Sequence, residues 1–172
     1  MGPSGESARS IPRPIAATAL SAFGAALVLA HGYHILTDAG PLLVIFIGGA
    51  IPLSLSVALV AAGPILYRSR LDDPAVTTTA AWGYIGGLAL ACVSMLLVAH
   101  QTLKGAPLHG LTYTVASSAT GGAIVGTVAG RYDALNRQKA GVIGSLQGAT
   151  TALSEATTQE EVCERAVEIA ND

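Results

Sequence analysis

The residues of this chain best suited to chemistry are its four histidines. His31 and His34 are three apart, so on a helix they share one face, and His100 and His109 flank the short stretch HQTLKGAPLHG. Imidazole ligates zinc, copper, iron and haem and titrates near neutral pH, so the set could hold a metal or a haem, or report on protons. It could equally be a group of interfacial side chains with wet polar tips, which need no ligand. No other cofactor is indicated. Cys92 and Cys163 fall in different phases and give neither a disulfide framework nor a metal spacing. The sequence has no phosphate-binding glycine loop, nucleophile and base pair, or usefully spaced carboxylates. No catalytic residue is assigned, and enzymatic activity of this chain is not expected.

The elements that must position the histidines follow from where charge is missing. The composition is 51% hydrophobic and 12% charged, against roughly 25% charged in soluble domains. Between Arg13 and Asp38, Asp38 and Arg68, Asp73 and Lys104, and Lys104 and Arg131 there is no acidic or basic residue. Each gap exceeds the roughly 20 residues a helix needs to cross the hydrocarbon core. Runs such as LLVIFIGGAIPLSLSVALVAAG also lack the polar stripe of a soluble bundle. The pattern predicts an all-α membrane protein with transmembrane helices near 15–36, 42–66, 78–101 and 109–130. The first run is too long for a cleaved signal, and Glu6 stands where myristoylation needs Ser or Thr.

Arg9, Arg13, Arg68, Arg70, Arg131, Arg137 and Lys139 fall on one side of these helices and Lys104 alone on the other, which predicts cytoplasmic N and C termini in the cell membrane. All four histidines then lie at the outer helix ends. A net charge of -2 gives no reason to expect a nucleic-acid partner, and the absence of charge at mid-membrane argues against a transporter or proton relay.

Small residues supply the expected packing surfaces: Gly122, Gly126 and Gly130 on the fourth helix, Gly83 and Gly87 on the third, and Ala22, Ala26 and Ala30 on the first. The fourth-helix ladder could pack within one bundle or join two copies. Pro52 and Pro64 are expected to bend the second helix.

Beyond the membrane, Leu135, Val142, Leu146, Ala149 and Leu153 recur at heptad spacing with Lys139 in the missing step, a stalk seam weakened by Gly141, Gly144 and Gly148. A short amphipathic helix is then expected, opened by Thr158 and Glu161 at capping-box spacing. The chain divides into a polar segment 1–13, a membrane module 14–131, a linker 132–157 and a final segment 158–172.

The exit segment GGAIVGTVAGRYDALNRQK resembles the GxYDxxxR stretch that ends the membrane region of haloarchaeal sensor histidine kinases and related regulators, and the tail resembles the start of a GAF domain. The resemblance implies signal reception and homodimerisation in the bilayer, with output through a cytoplasmic kinase or regulator partner. The phospho-accepting histidine box and the nucleotide boxes of such kinases are missing, so no kinase residue carries over. The expectation is a sensory module of a two-component-type protein that stops before the output domains. The alternative is a small structural or assembly membrane protein without signalling output.

Overall fold

The computed structural model describes residues 11–37, 41–105 and 110–154. The described residues are helical apart from short connections: α1 (Arg13–Thr37), α2 (Leu42–Ile45), a π-helical turn (Phe46–Ala50), α3 (Ile51–Arg68), α4 (Asp73–Leu103) and α5 (Leu111–Ser154). Two compact units divide between Ala134 and Leu135. Among the described residues three helices are long and apolar enough to cross a membrane: Arg13–Thr37, Phe46–Arg68 and Asp73–Leu103. The N-terminal part of α5 is the fourth helix of the bundle, but its Ser, Thr and Gly content makes it less apolar.

The helix ends follow local chemistry. Asp72 caps α4 by accepting from the Ala75 amide at 3.0 Å, with Pro74 in the first turn where no amide is needed. Gly105, at φ 71°, takes the left-handed conformation just past the end of α4. The segment expected as one helix over 42–66 is interrupted. Pro52 has no N–H for the carbonyl four residues earlier, and the preceding turn widens so that the Ile51 amide bonds Phe46 O.

Pro64 leaves the carbonyl of Val60 without its helical donor, and Ser21 of α1 supplies one at 2.9 Å. Beside it Gly63 admits the α1 backbone, since a Cβ there would strike Ser21 Oγ and lie 2.5 Å from Ala17 O. Gly24 completes this seam from the other side: a Cβ would come within 2.7 Å of the Val60 amide nitrogen. The buried face of α1 is therefore Ala17, Leu20, Gly24, Leu27 and His31. This corrects the expected alanine stripe, because Ala22 and Ala26 lie on the bundle's surface.

The second seam joins α4 and α5 backbone to backbone. A Cβ on Gly122 would strike Gly86 O and one on Gly86 would strike Gly122 O, while one on Gly126 would strike Trp82 O. Gly130 faces Thr79 Cα and Trp82 Cβ at 2.9 Å. Gly83 and Gly87 face both α5 and α1: a Cβ on Gly83 would meet Thr127 Oγ1 and Leu20, and one on Gly87 would meet Ala119 O and Phe23. Tyr84 ties α4 to α1, donating to Ala19 O at 2.6 Å and stacking on Phe23 with centroids 4.9 Å apart. Replacing Gly122 by valine is expected to lower stability in detergent by about 2 kcal/mol or more, as overpacking does in a tight core. Denaturation by SDS measures it, with Gly121→Val as the control because Gly121 has open space beside it.

Candidate functional site

Among the described residues, the one deeply buried polar group of the first unit that can titrate is His31 of α1, wholly shielded from solvent. Its Nε2 lies 3.1 Å from Thr120 Oγ1 of α5, also wholly buried. Ser56 of α3 completes the node, its Oγ 3.3 Å from Thr120 Oγ1. The Thr120 hydroxyl also reaches Ala116 O and that of Ser56 reaches Pro52 O, both at 2.9 Å. In the tautomer whose Nε2–H donates to Thr120, Nδ1 carries a lone pair. That Nδ1 is buried and has no hydrogen-bond partner among the described residues.

Each helix places its member by ordinary means. Ser and Thr bond back to the carbonyl four residues earlier in α3 and α5, which holds their hydroxyl oxygens toward the seam. Tyr113, seven residues before Thr120 and so on the same face of α5, stacks on His34 with centroids 4.5 Å apart and meets His31 edge-on at 6.1 Å. Its hydroxyl reaches the π-helical turn, where a Cβ on Gly48 would lie 3.4 Å from it. Ser117 Oγ, between Tyr113 and Thr120 on α5, is buried without a partner among the described residues.

Of the four histidines, His31 and His34 thus converge with α5, His100 is exposed on α4, and His109 lies outside the described residues. Among the described residues no three His, Cys, Asp or Glu side chains lie close enough to hold a metal ion. What His31 offers is half of a ligand's usual environment, one ring nitrogen fixed by an acceptor and the other left open. Thr120, Ser56 and Tyr113 were not legible as site residues. Only the four- and seven-residue steps of Thr and Tyr along α5 could have suggested them.

The opposite end of α1 is fastened by Arg13. Its guanidinium donates to Leu71 O at 3.1 Å, to Leu66 O at 3.3 Å and to Ser69 O, closing the C-terminal carbonyls of α3. Asp73 stands 3.9 Å away and the Tyr67 ring 6.0 Å. Arg13 is thus structural as well as a topological signal.

The second unit carries the C-terminal part of α5. Leu135, Val142 and Leu146 are exposed there, Ala149 is half-buried, and Gly141, Gly144 and Gly148 have open space beside them. The Leu153 side chain and residues 158–172 lie outside the described residues.

Long apolar helices in tight contact through glycine, with polar groups turned inward, define a multi-pass α-helical membrane protein. A model of the family described as the archaeal 4TM region of histidine kinase matches residues 12–143, and the chain belongs to that family. The family is a membrane region of those kinases and not their catalytic part. No curated protein and no solved structure matches the chain.

Replacing Thr120 by valine leaves the His31 N–H facing a methyl group. A loss of about 1 kcal/mol is expected, the scale of an interhelical hydrogen bond in a membrane bundle. A double-mutant cycle with His31→Leu in SDS unfolding would assign that loss to this pair, because the second substitution should then change little in the presence of the first.

Proposed function

We propose that this chain is the membrane input module of a two-component-type signalling protein. Four helices cross the cell membrane with both termini cytoplasmic, the stimulus is received at the histidine end, and α5 carries the change to a cytoplasmic kinase or regulator partner. The observation that carries this reading is the His31 node, which joins α1 and α3 to α5, the helix that runs on to Ser154. A change at Nδ1, by a proton or a metal ion, alters the charge of a group whose other nitrogen holds Thr120 of α5. The conformational step would be a shift or rotation of α5, one of the small helix displacements that two-state membrane switches use.

Several features support the topology. Arg13, Arg68, Arg70, Arg131, Arg137 and Lys139 cluster at one set of helix ends, and Lys104 alone stands at the other. Polar residues in the middle of the bundle part of α5 face protein, since Thr120 is buried and Ser118 takes the hydroxyl of Ser94 on α4, while Val125 and Val128 face outward. A helix surrounded on this side by the bundle needs few lipid-facing side chains to cross a bilayer. We further read the exposed row of Leu135, Val142 and Leu146 as half of a homodimeric stalk, marginal because of its glycines and so able to change packing. Catalysis has no part in this role.

Two measurements on the full chain, with Cys92 and Cys163 replaced by serine, check this reading. Cysteine at Lys104 is expected to react with an impermeant maleimide in intact cells, and cysteine at Gln138 only after permeabilisation. In membranes, cysteines at Val142, Leu146 and Ala149 are expected to form disulfide-linked dimers whose pattern changes with His31→Leu. Dimers with an unchanged pattern would sink the relay, and no dimers at all would favour the structural or assembly protein.

A further inference from the structure

Between α1 and α3, at the Arg13 end, the bundle surface holds a groove of about 300 Å³ lined by Pro14, Ala17, Thr18, Gly63, Pro64 and Tyr67. Its shape follows from its residues. Gly63 has no side chain, Ala17 is small, and Pro64 cannot be covered by a straight continuation of the helix. The body of the groove is apolar and opens toward the lipid side of the bundle, where Pro14, Thr18, Pro64 and Tyr67 are exposed.

The mouth is cationic. Arg13 precedes Pro14 and lies 6.0 Å from the Tyr67 ring, and Arg68 and Arg70 are close by in the chain, Arg70 exposed beyond the end of α3. Among the described residues the Arg13 charge has one acidic contact, Asp73 at 3.9 Å, which is itself 57% exposed. Arg13 Nε is buried and donates to nothing among the described residues. An apolar groove lined by Tyr67 at the last turn of α3, with exposed Arg68 and Arg70 next in the chain, complements one kind of molecule, an amphiphile with an alkyl chain and an anionic head.

We propose that this groove binds one chain of an anionic phospholipid, with the phosphate held by Arg68 and Arg70 in the field of Arg13. A second copy of the chain is the poorer occupant, because the same end of a second bundle would bring the same arginines against these. A free phosphate ion would leave the apolar groove unused. Tyr67 stands where the head of a bound lipid meets its chain, the position an amphipathic ring prefers at a membrane interface. The site needs neither the histidine node nor a particular orientation of the bundle, so it stands apart from the input role.

The full chain purified in mild detergent, offered phosphatidylglycerol or phosphatidylcholine in mixed micelles, supplies the test by native mass spectrometry. One phosphatidylglycerol per chain is expected, retained about tenfold better than phosphatidylcholine. Thr18→Trp, which fills the groove from an exposed position, should abolish that retention, while Leu29→Trp farther along α1 should not. Arg68→Gln with Arg70→Gln should erase the preference for the anionic head, bringing phosphatidylglycerol retention down to that of phosphatidylcholine. Lipid-free thermal unfolding of every variant shows whether it is folded, and Thr18→Leu serves if Thr18→Trp is not. Equal retention of the two lipids, retention unaffected by filling the groove, displacement of phosphatidylglycerol by inorganic phosphate, or a change of oligomeric state in place of lipid loss would each overturn the proposal.

Discussion

Within hydrocarbon a backbone carbonyl without a donor has no water to turn to, and this chain twice creates that situation by placing proline inside a helix. The two answers differ. At Pro52 the chain absorbs the loss locally, widening one turn so that the Ile51 amide reaches back to Phe46. At Pro64 it takes the donor from another helix, and the bond from Ser21 to Val60 O makes contact between α1 and α3 a condition of α3 being satisfied at all. Gly63 and Gly24 are then required, because the hydroxyl reaches that carbonyl only if the two backbones come close. Arg13 solves the same problem at the end of α3, where terminal carbonyls would otherwise face the interface without partners.

That constraint shapes the interior. Among the described residues the large apolar side chains that are wholly buried are Leu20, Leu59 and Val76, and His31, Thr79, Thr120 and Ser56 are enclosed with them. A core this poor in bulk is held by close backbone contact and interhelical hydrogen bonds, the terms that remain when lipid is as apolar as the side chains it replaces. The Gly86 and Gly122 contact between α4 and α5 is the extreme case, with each backbone resting on the other. A fully buried histidine is tolerated because its N–H is answered by Thr120.

The sequence revealed the helical segments through gaps in charge, which is a property of each segment alone. It revealed the glycine ladder of α5 for the same reason, since Gly122, Gly126 and Gly130 are visible as a row. Their partner surface was less visible, because Gly83, Gly86 and Gly87 all face α5 and only the crossing of two helices makes Gly86 the one whose backbone meets a glycine backbone there. The alanine row of α1 misled because alanine is accepted equally on a packed face and a lipid face, whereas the row through Leu20, Gly24 and Leu27 mixes sizes and has no simple signature. His31 and His34 stood out as chemistry-bearing residues, but Thr120 and Ser56 looked like two more small polar residues in a chain full of them. What distinguishes them is where three helices meet.

The two ends of the bundle are therefore built differently. At the Arg13 end, one guanidinium binds the last turn of α3, the loop after it and the start of α4, and the Ile11 carbonyl takes the Thr77 hydroxyl at 3.0 Å, so α1, α3 and α4 are fixed together by several independent bonds. At the histidine end, α1 is tied to α5 by the bond from His31 to Thr120, supported by ring contacts with Tyr113 that hold over a range of offsets. A perturbation applied anywhere in such a bundle is resisted most where bonds are many and directional, and least where one bond and a stack carry the load. The bonds at the Arg13 end join α1, α3 and α4, whereas the contact between His31 and Thr120 joins α1 to α5 at the other end.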